Sequence, residues 1–118
     1  MIEADLYGHL SKDTTLTSLV ADRIYPMKAP NGVETPYITY MNVSNIDITS
    51  IQGANYANKT RFQIDIFSKS YLETKEILGA VKSSMYQYKT QVHNFSSRDL
   101  YESDTELHRQ LIEFNINN

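Results

Sequence analysis

The sequence predicts an α+β fold, a single-domain sandwich in which a mixed, mainly antiparallel β-sheet is covered by two main helices. Three observations predict it. Phe62, Ile64 and Ile66 alternate with Arg61, Gln63 and Asp65, and Gln110, Ile112, Phe114 and Ile116 alternate with Arg109, Leu111, Glu113 and Asn115, the two-residue period of strands. Ile2, Leu6 and Leu10 recur at i, i+4 and i+8, and Ile77, Leu78, Val81, Met85 and Tyr88 recur at three- and four-residue spacing, each the stripe of a helix lying on a core. The 118 residues fit one hydrophobic core and leave little room for a second, so residues 1–118 are read as one domain.

The elements follow in order. A helix is expected over 2–12, with Glu3 and Asp5 in its first turn, where negative charge offsets the helix dipole. Asp13 reads as the N-cap of a short second helical turn carrying Leu16, Leu19 and Val20, because its carboxylate can accept from the free N–H groups that follow. Arg23-Ile24-Tyr25-Pro26 reads as a brief extended segment. Pro26, Pro30, Gly32 and Pro36 then mark a loop.

Strands are expected over 37–46 and 60–68, paired antiparallel as a long hairpin. The segment between them, 45–58, is too long for a tight turn and mixes polar residues with Ile48, Ile51 and Tyr56. A loop of that length usually has a task. These three side chains are its candidate assembly-interface residues, anchors for a loop that becomes ordered when a partner engages it. Ser70-Tyr71-Leu72-Glu73 has the S-x-x-E form of a capping box and opens a helix expected over 70–89. Val92, Phe95, Leu100 and Tyr101 suggest a further strand or two, Glu102 to Thr105 a polar turn, and 106–117 the closing strand. Leu6, Leu10, Ile64, Ile66, Leu78, Val81, Ile112 and Phe114 are the expected core.

Composition narrows function. Hydrophobic residues make up 41% and charged residues 21%, values of a globular chain. The longest apolar stretches, such as Ile77 to Val81, fall far short of the roughly 20 residues that cross a bilayer, so no membrane is expected among the partners. The acidic start Met1-Ile2-Glu3-Ala4-Asp5 is unlike a secretory leader, which leads to an expected location in the cytoplasm. With no cysteine, disulfides, thiolate-bound zinc and thiol catalysis are excluded. The sequons at Asn42, Asn58 and Asn94 then read as chance. Eleven basic and fourteen acidic residues give a formal charge of -3 without a basic cluster, which argues against a surface that tracks phosphates. Nine tyrosines and no tryptophan suit half-buried positions and subunit contacts.

No catalytic, cofactor-binding or metal-binding residue is assigned. His9, His93 and His108 lack the spacing that puts two imidazoles on one metal. No G-x-S-x-G turn presents a nucleophile. Gly8, Gly32, Gly53 and Gly79 stand apart, so neither a P-loop nor a dinucleotide fingerprint exists. No cofactor is expected.

Several segments taken together carry a resemblance. They are Ile2-Glu3 with Asp5-Leu6-Tyr7 and Leu10, then Leu19 to Pro26, then Thr35-Pro36-Tyr37-Ile38-Thr39-Tyr40, Arg61 to Phe67, Ser70-Tyr71 and His108 to Phe114. In this order the chain resembles small phage and prophage tail-completion, or tail-to-head joining, proteins, which are similar to the tail terminators of long-tailed phages. The resemblance implies a tail-terminator-like subunit that forms a ring with copies of itself, a hexamer, at the head-proximal end of the tail. Such a ring ends tube polymerisation, contacts the tail-tube protein and a head-completion or connector protein, and lets DNA pass without specific binding. The implied place is the host cytoplasm during assembly and the head-tail junction of the virion afterwards. The family supplies no catalytic residue, so the chain is expected not to be an enzyme. The competing expectation is a small cytosolic α+β ligand-binding or regulatory domain, because fold alone does not decide function; a small hydrolase or nuclease has no motif to support it.

Overall fold

The computed structural model describes residues 1–49 and 56–117. Three helices, α1 (Ile2–Ser11), α2 (Thr14–Val20) and α3 (Tyr71–Tyr86), accompany five strands, β1 (Ile24–Pro26), β2 (Tyr37–Thr49), β3 (Tyr56–Ser68), β4 (Val92–Glu102) and β5 (Leu107–Asn117). The strands form one sheet in the order β1-β2-β3-β5-β4. Among the described strands only β1 and β2 are parallel; the other neighbours are antiparallel. The expected α+β sandwich is therefore the fold.

The two-residue period of the strands decides which face is covered. Ile38 and Tyr40 of β2, Phe62, Ile64 and Ile66 of β3, and Ile112, Phe114 and Ile116 of β5 share one core with Leu6 and Leu10 of α1, Leu16 and Val20 of α2, and Ile77, Val81 and Met85 of α3. The helices are held where local chemistry starts them. Asp13 Oδ1 accepts from Leu16 N at 2.9 Å, as an N-cap should. Ser70 Oγ accepts from Glu73 N at 3.2 Å. In a capping box the Glu side chain would accept from Ser70 N; here Glu73 Oε1 accepts instead from Ser68 Oγ at 2.5 Å, and Ser68 Oγ accepts from Ser70 N at 3.0 Å. The last residue of β3 thus relays the capping box.

Three expectations are corrected. Leu78 is only partly buried, because α3 faces the sheet with Thr74, Ile77, Ala80, Val81, Ser84 and Met85. With that face turned to the core, Leu78 falls at its rim. The helix ends at Tyr86 and not at 89. The segment 45–58 is not a loop at its ends, since the β2–β3 ladder continues through Ile48↔Ala57 to Thr49↔Tyr56; the remainder lies outside the described residues. At about 3.3 Å per residue, thirteen-residue strands are roughly 40 Å long, which accounts for overall dimensions of 52 × 29 × 23 Å.

β1 is short for a visible reason. It docks through Ile38 N to Arg23 O (2.9 Å), Met27 N to Tyr40 O (2.8 Å) and Arg23 Nε to Pro36 O (2.8 Å). Met27 then adopts φ 64°, a left-handed conformation rare outside glycine, and the chain turns away from the sheet. β1 covers β2 only from Ile38 to Tyr40.

Candidate assembly surfaces

The sheet face opposite the helices carries charge in an ordered arrangement. Arg61 of β3 reaches Glu113 Oε2 (3.2 Å) and Asn115 Oδ1 (3.0 Å) on β5. Arg109 of β5 donates to Asp65 Oδ1 at 3.0 Å and to Glu102 Oε2 at 3.4 Å. Gln63 Nε2 donates to Asp65 Oδ2 at 2.8 Å. The guanidinium of Arg109 also lies 5.4 Å from the centre of the Phe67 ring, which stacks on Tyr37 at 4.8 Å. Asp65 is buried by this company although no helix covers it. Burial, helped by the Glu102 carboxylate, pushes the Tyr37 phenol up from its usual value.

The loop from Met27 to Val33 closes one side of this face and leaves a concavity of about 560 Å³ floored by Thr39, Gln63, Asp65 and Arg109. On its floor Asp65 and Arg109 are committed to each other, and Gln63 donates to Asp65. The arrangement is a pre-set polar surface, and its charges hold β3, β5 and the β4 turn in register.

The helical side has two ties of its own. Asn42 Nδ2 donates to Glu3 Oε2 at 2.9 Å, and Lys89 Nζ donates to Asp5 Oδ2 at 2.9 Å. The Asn42 bond holds the Glu3 carboxyl below its usual range, and Lys89 does the same for Asp5. Both acids thus fasten α1 in addition to their place near its N-terminus, a role the sequence alone did not reveal. His9 Nε2 lies 2.7 Å from Ser84 O, and its ring meets Tyr88 edge-on at 5.1 Å. His108 contacts the rings of Tyr71 and Tyr101. Among the described residues no group of three or more His, Asp or Glu could hold a metal ion, and no helix is long and apolar enough to cross a membrane.

Two of the candidate interface residues, Ile48 and Tyr56, lie toward the far end of the described hairpin ladder. Ile48 is paired with Ala57 and Tyr56 with Thr49 in the ladder, whereas Ile51 lies outside the described residues. β5 accompanies β3 only from Lys59 onward, so beyond that point the described ladder is a two-stranded ribbon. Such a ribbon is marginal on its own.

The profile of the family described as Tail completion protein gp17 matches residues 4–117. No curated protein matches the chain. Among solved structures, a chain of the virion of a native gene transfer agent particle superposes with a TM-score of 0.79 at 15% identity, over 98% of this chain and 92% of that one. At that identity the likeness concerns the fold.

Proposed function

The chain belongs to the family of tail completion protein gp17, and from that premise we propose that it is a non-enzymatic subunit of a ring that finishes a phage or prophage tail. The family match supports this reading most, because it runs over residues 4–117 and so concerns the whole fold. As a single tail-terminator-like domain, the subunit would join copies of itself into a hexamer at the head-proximal end of the tail. The ring would stop tail-tube polymerisation and present a second surface to a head-completion or connector protein. Assembly would take place in the host cytoplasm, and the finished protein would sit at the head-tail junction.

A formal charge of -3 without basic clusters suits a channel wall along which DNA slides, since clustered Lys and Arg would bind the phosphates. Ile48, Ile51 and Tyr56 are proposed as contact residues of this assembly. Sedimentation and negative-stain microscopy of the purified protein, alone and with its tail tubes, test the reading. Rings, and tubes capped at one end, are the expected result. A chain that stays monomeric and leaves tube length unchanged would refute it.

A further inference from the structure

The geometry points to a specific contact between copies: the free edge of β2 beyond β1 receives the outer edge of β4 from a second copy, with Ile46 opposite Leu100, so that the sheet continues from subunit to subunit. This inference rests on the ring reading and names the surface that builds the ring.

The strand order leaves two unlike edges. On one side, β1 stops at Pro26, opposite Tyr40, and no described strand flanks β2 from Met41 to Thr49. That stretch holds no Lys, Arg or Pro, the residues that commonly protect an edge from pairing. On the other side, β4 is the terminal strand. Each edge has one bulge, between Asn42 and Ser44 and between His93 and Ser96. Past the bulges, Ser44–Thr49 and Ser96–Glu102 remain as regular stretches of similar length.

Direction follows from topology. From β2 through β3 and β5 to β4 there are three antiparallel steps, so β4 runs opposite to β2. A copy that continues the sheet in the same sense therefore lays its β4 antiparallel to β2, the more stable pairing. The contact uses two different patches, the head-to-tail kind that closes into rings. Within one subunit Leu100 is level with Arg109 and Phe67 whereas Ile46 is level with Lys59, eight residues along β3. The contact therefore staggers the copy by roughly 26 Å along the strands, and strands of a closed sheet do tilt and stagger.

Side-chain faces agree with this. Ile46 pairs with Lys59 next to Arg61, and Leu100 pairs with Arg109, so both lie on the face that the helices leave uncovered. They are 55% and 37% exposed. With Ile46 opposite Leu100, Tyr101 of the copy comes opposite Asn45 on the helical face. There it lies toward the apolar depression formed by Met1, Tyr7, Met27 and Tyr40 where β1 ends, about 510 Å³ in volume. Of the exposed large apolar side chains among the described residues, Met1, Tyr7, Met27, Val43 and Ile46 gather at the β2 edge. Leu100 and Tyr101 lie on β4 itself, and Tyr71 and Tyr86 beside it through His108 and Phe95. The single charge of the free stretch, Asp47, comes opposite Asp99, whose carboxylate is already held by Lys75 at 2.6 Å and Tyr71 at 2.7 Å.

Because the chain has no cysteine, the contact can be tested by disulfide trapping. Ile46→Cys and Leu100→Cys change exposed positions and leave the core intact. Under mild oxidation the two single variants, mixed, are expected to form a disulfide-linked dimer that neither forms alone, and the double variant a ladder of linked oligomers. Failure of the mixture to cross-link while the unaltered protein sediments as a ring would overturn the edge contact and leave the ring reading standing. Cross-linking of Ile46→Cys with itself would overturn it in favour of a symmetric dimer. An unaltered protein that remains monomeric with its tail tubes would overturn both.

Discussion

Arg109 donates from Nε to the carboxylate of Asp65 at 3.0 Å across the β3–β5 pair, on a sheet face that no helix covers. The Asp65 side chain is only 6% exposed and that of Arg109 26%. Removing one partner of such a pair strands a buried charge, and the loss is larger than the worth of the pair itself. Arg109→Ala should therefore destabilise the subunit by about 3 kcal/mol in denaturant unfolding, the low end for a buried pair because Gln63 still donates to Asp65. Asp65→Asn combined with Arg109→Ala should recover part of the loss. Equal losses in the single and double variants would show that the ion pair is not the source.

Ser84 presents the opposite case. Its hydroxyl and that of Tyr88 are buried without a hydrogen-bond partner among the described residues. Ser84→Ala removes the unpaired group from the helix interior and installs the best helix former, so a gain of about 0.5–1.5 kcal/mol is expected in thermal or urea unfolding. A measured loss would mean that the hydroxyl has a partner in solution.

The rim of α3 gives a pH prediction. Hydrogen bonds from Lys75 and Tyr71 hold the Asp99 carboxyl below 3.8, and the same bond to Asp99 holds the Lys75 ammonium above 10.5. With Asp99 lowered on folding, its contribution is complete above 3.8 and fades as pH falls through the lower folded value. With Lys75 raised, its contribution is complete below 10.5 and fades as pH climbs above it. The melting-temperature difference between the natural protein and Asp99→Asn should be positive and flat between these limits and vanish at strongly acidic pH. A difference that persists in acid would assign the effect to something other than charge.

Burial along α3 sorts two neighbouring residues. Ile77 is fully buried whereas Leu78 is partly exposed at the edge of the core. Ile77→Ala should cost about 2–5 kcal/mol, as large-to-small core changes do. Leu78→Ala should cost about 1 kcal/mol, in proportion to the apolar area it buries. Equal costs would place Leu78 in the core after all.

Physical scale explains which features were legible in the sequence. β3 and β5 announce themselves because the face under the helices is almost wholly apolar and the other mostly polar, and Phe62 against Arg61 or Ile112 against Glu113 records that. The N-caps at Asp13 and Ser70 are local and equally visible. The inward turn of Ala80 and Ser84 was hidden because small residues carry little hydrophobic signal yet permit close helix approach. β4 lacks alternation because it is a mostly exposed edge strand interrupted at Asn94, where φ is 54°. The Arg109–Asp65 and Arg61–Glu113 pairs needed the β3–β5 register, which no local pattern supplies. The candidate interface was read from the apolar residues Ile48, Ile51 and Tyr56 in a polar segment, a pattern that names no partner.

The hairpin can be shortened without touching the rest of the sheet, and that isolates its role in assembly. Asp47 and Asn58 face each other in the ladder, and β5 pairs with β3 only from Lys59 onward. Replacing Ile48 to Ala57 by Asn-Gly would join two directly opposed residues through a two-residue turn suited to strand twist. The three-stranded part stays intact, and closing a shorter loop costs less chain entropy, by about 0.6 kcal/mol for each halving of its length. The shortened subunit is therefore expected to melt close to the natural one. It loses Ile48, Ile51 and Tyr56 together, so if these are the apolar anchors of assembly it should fold as a monomer and fail to form rings or to join tails to heads. Assembly unchanged in sedimentation and in complementation of a phage lacking the gene would remove these three residues from the interface.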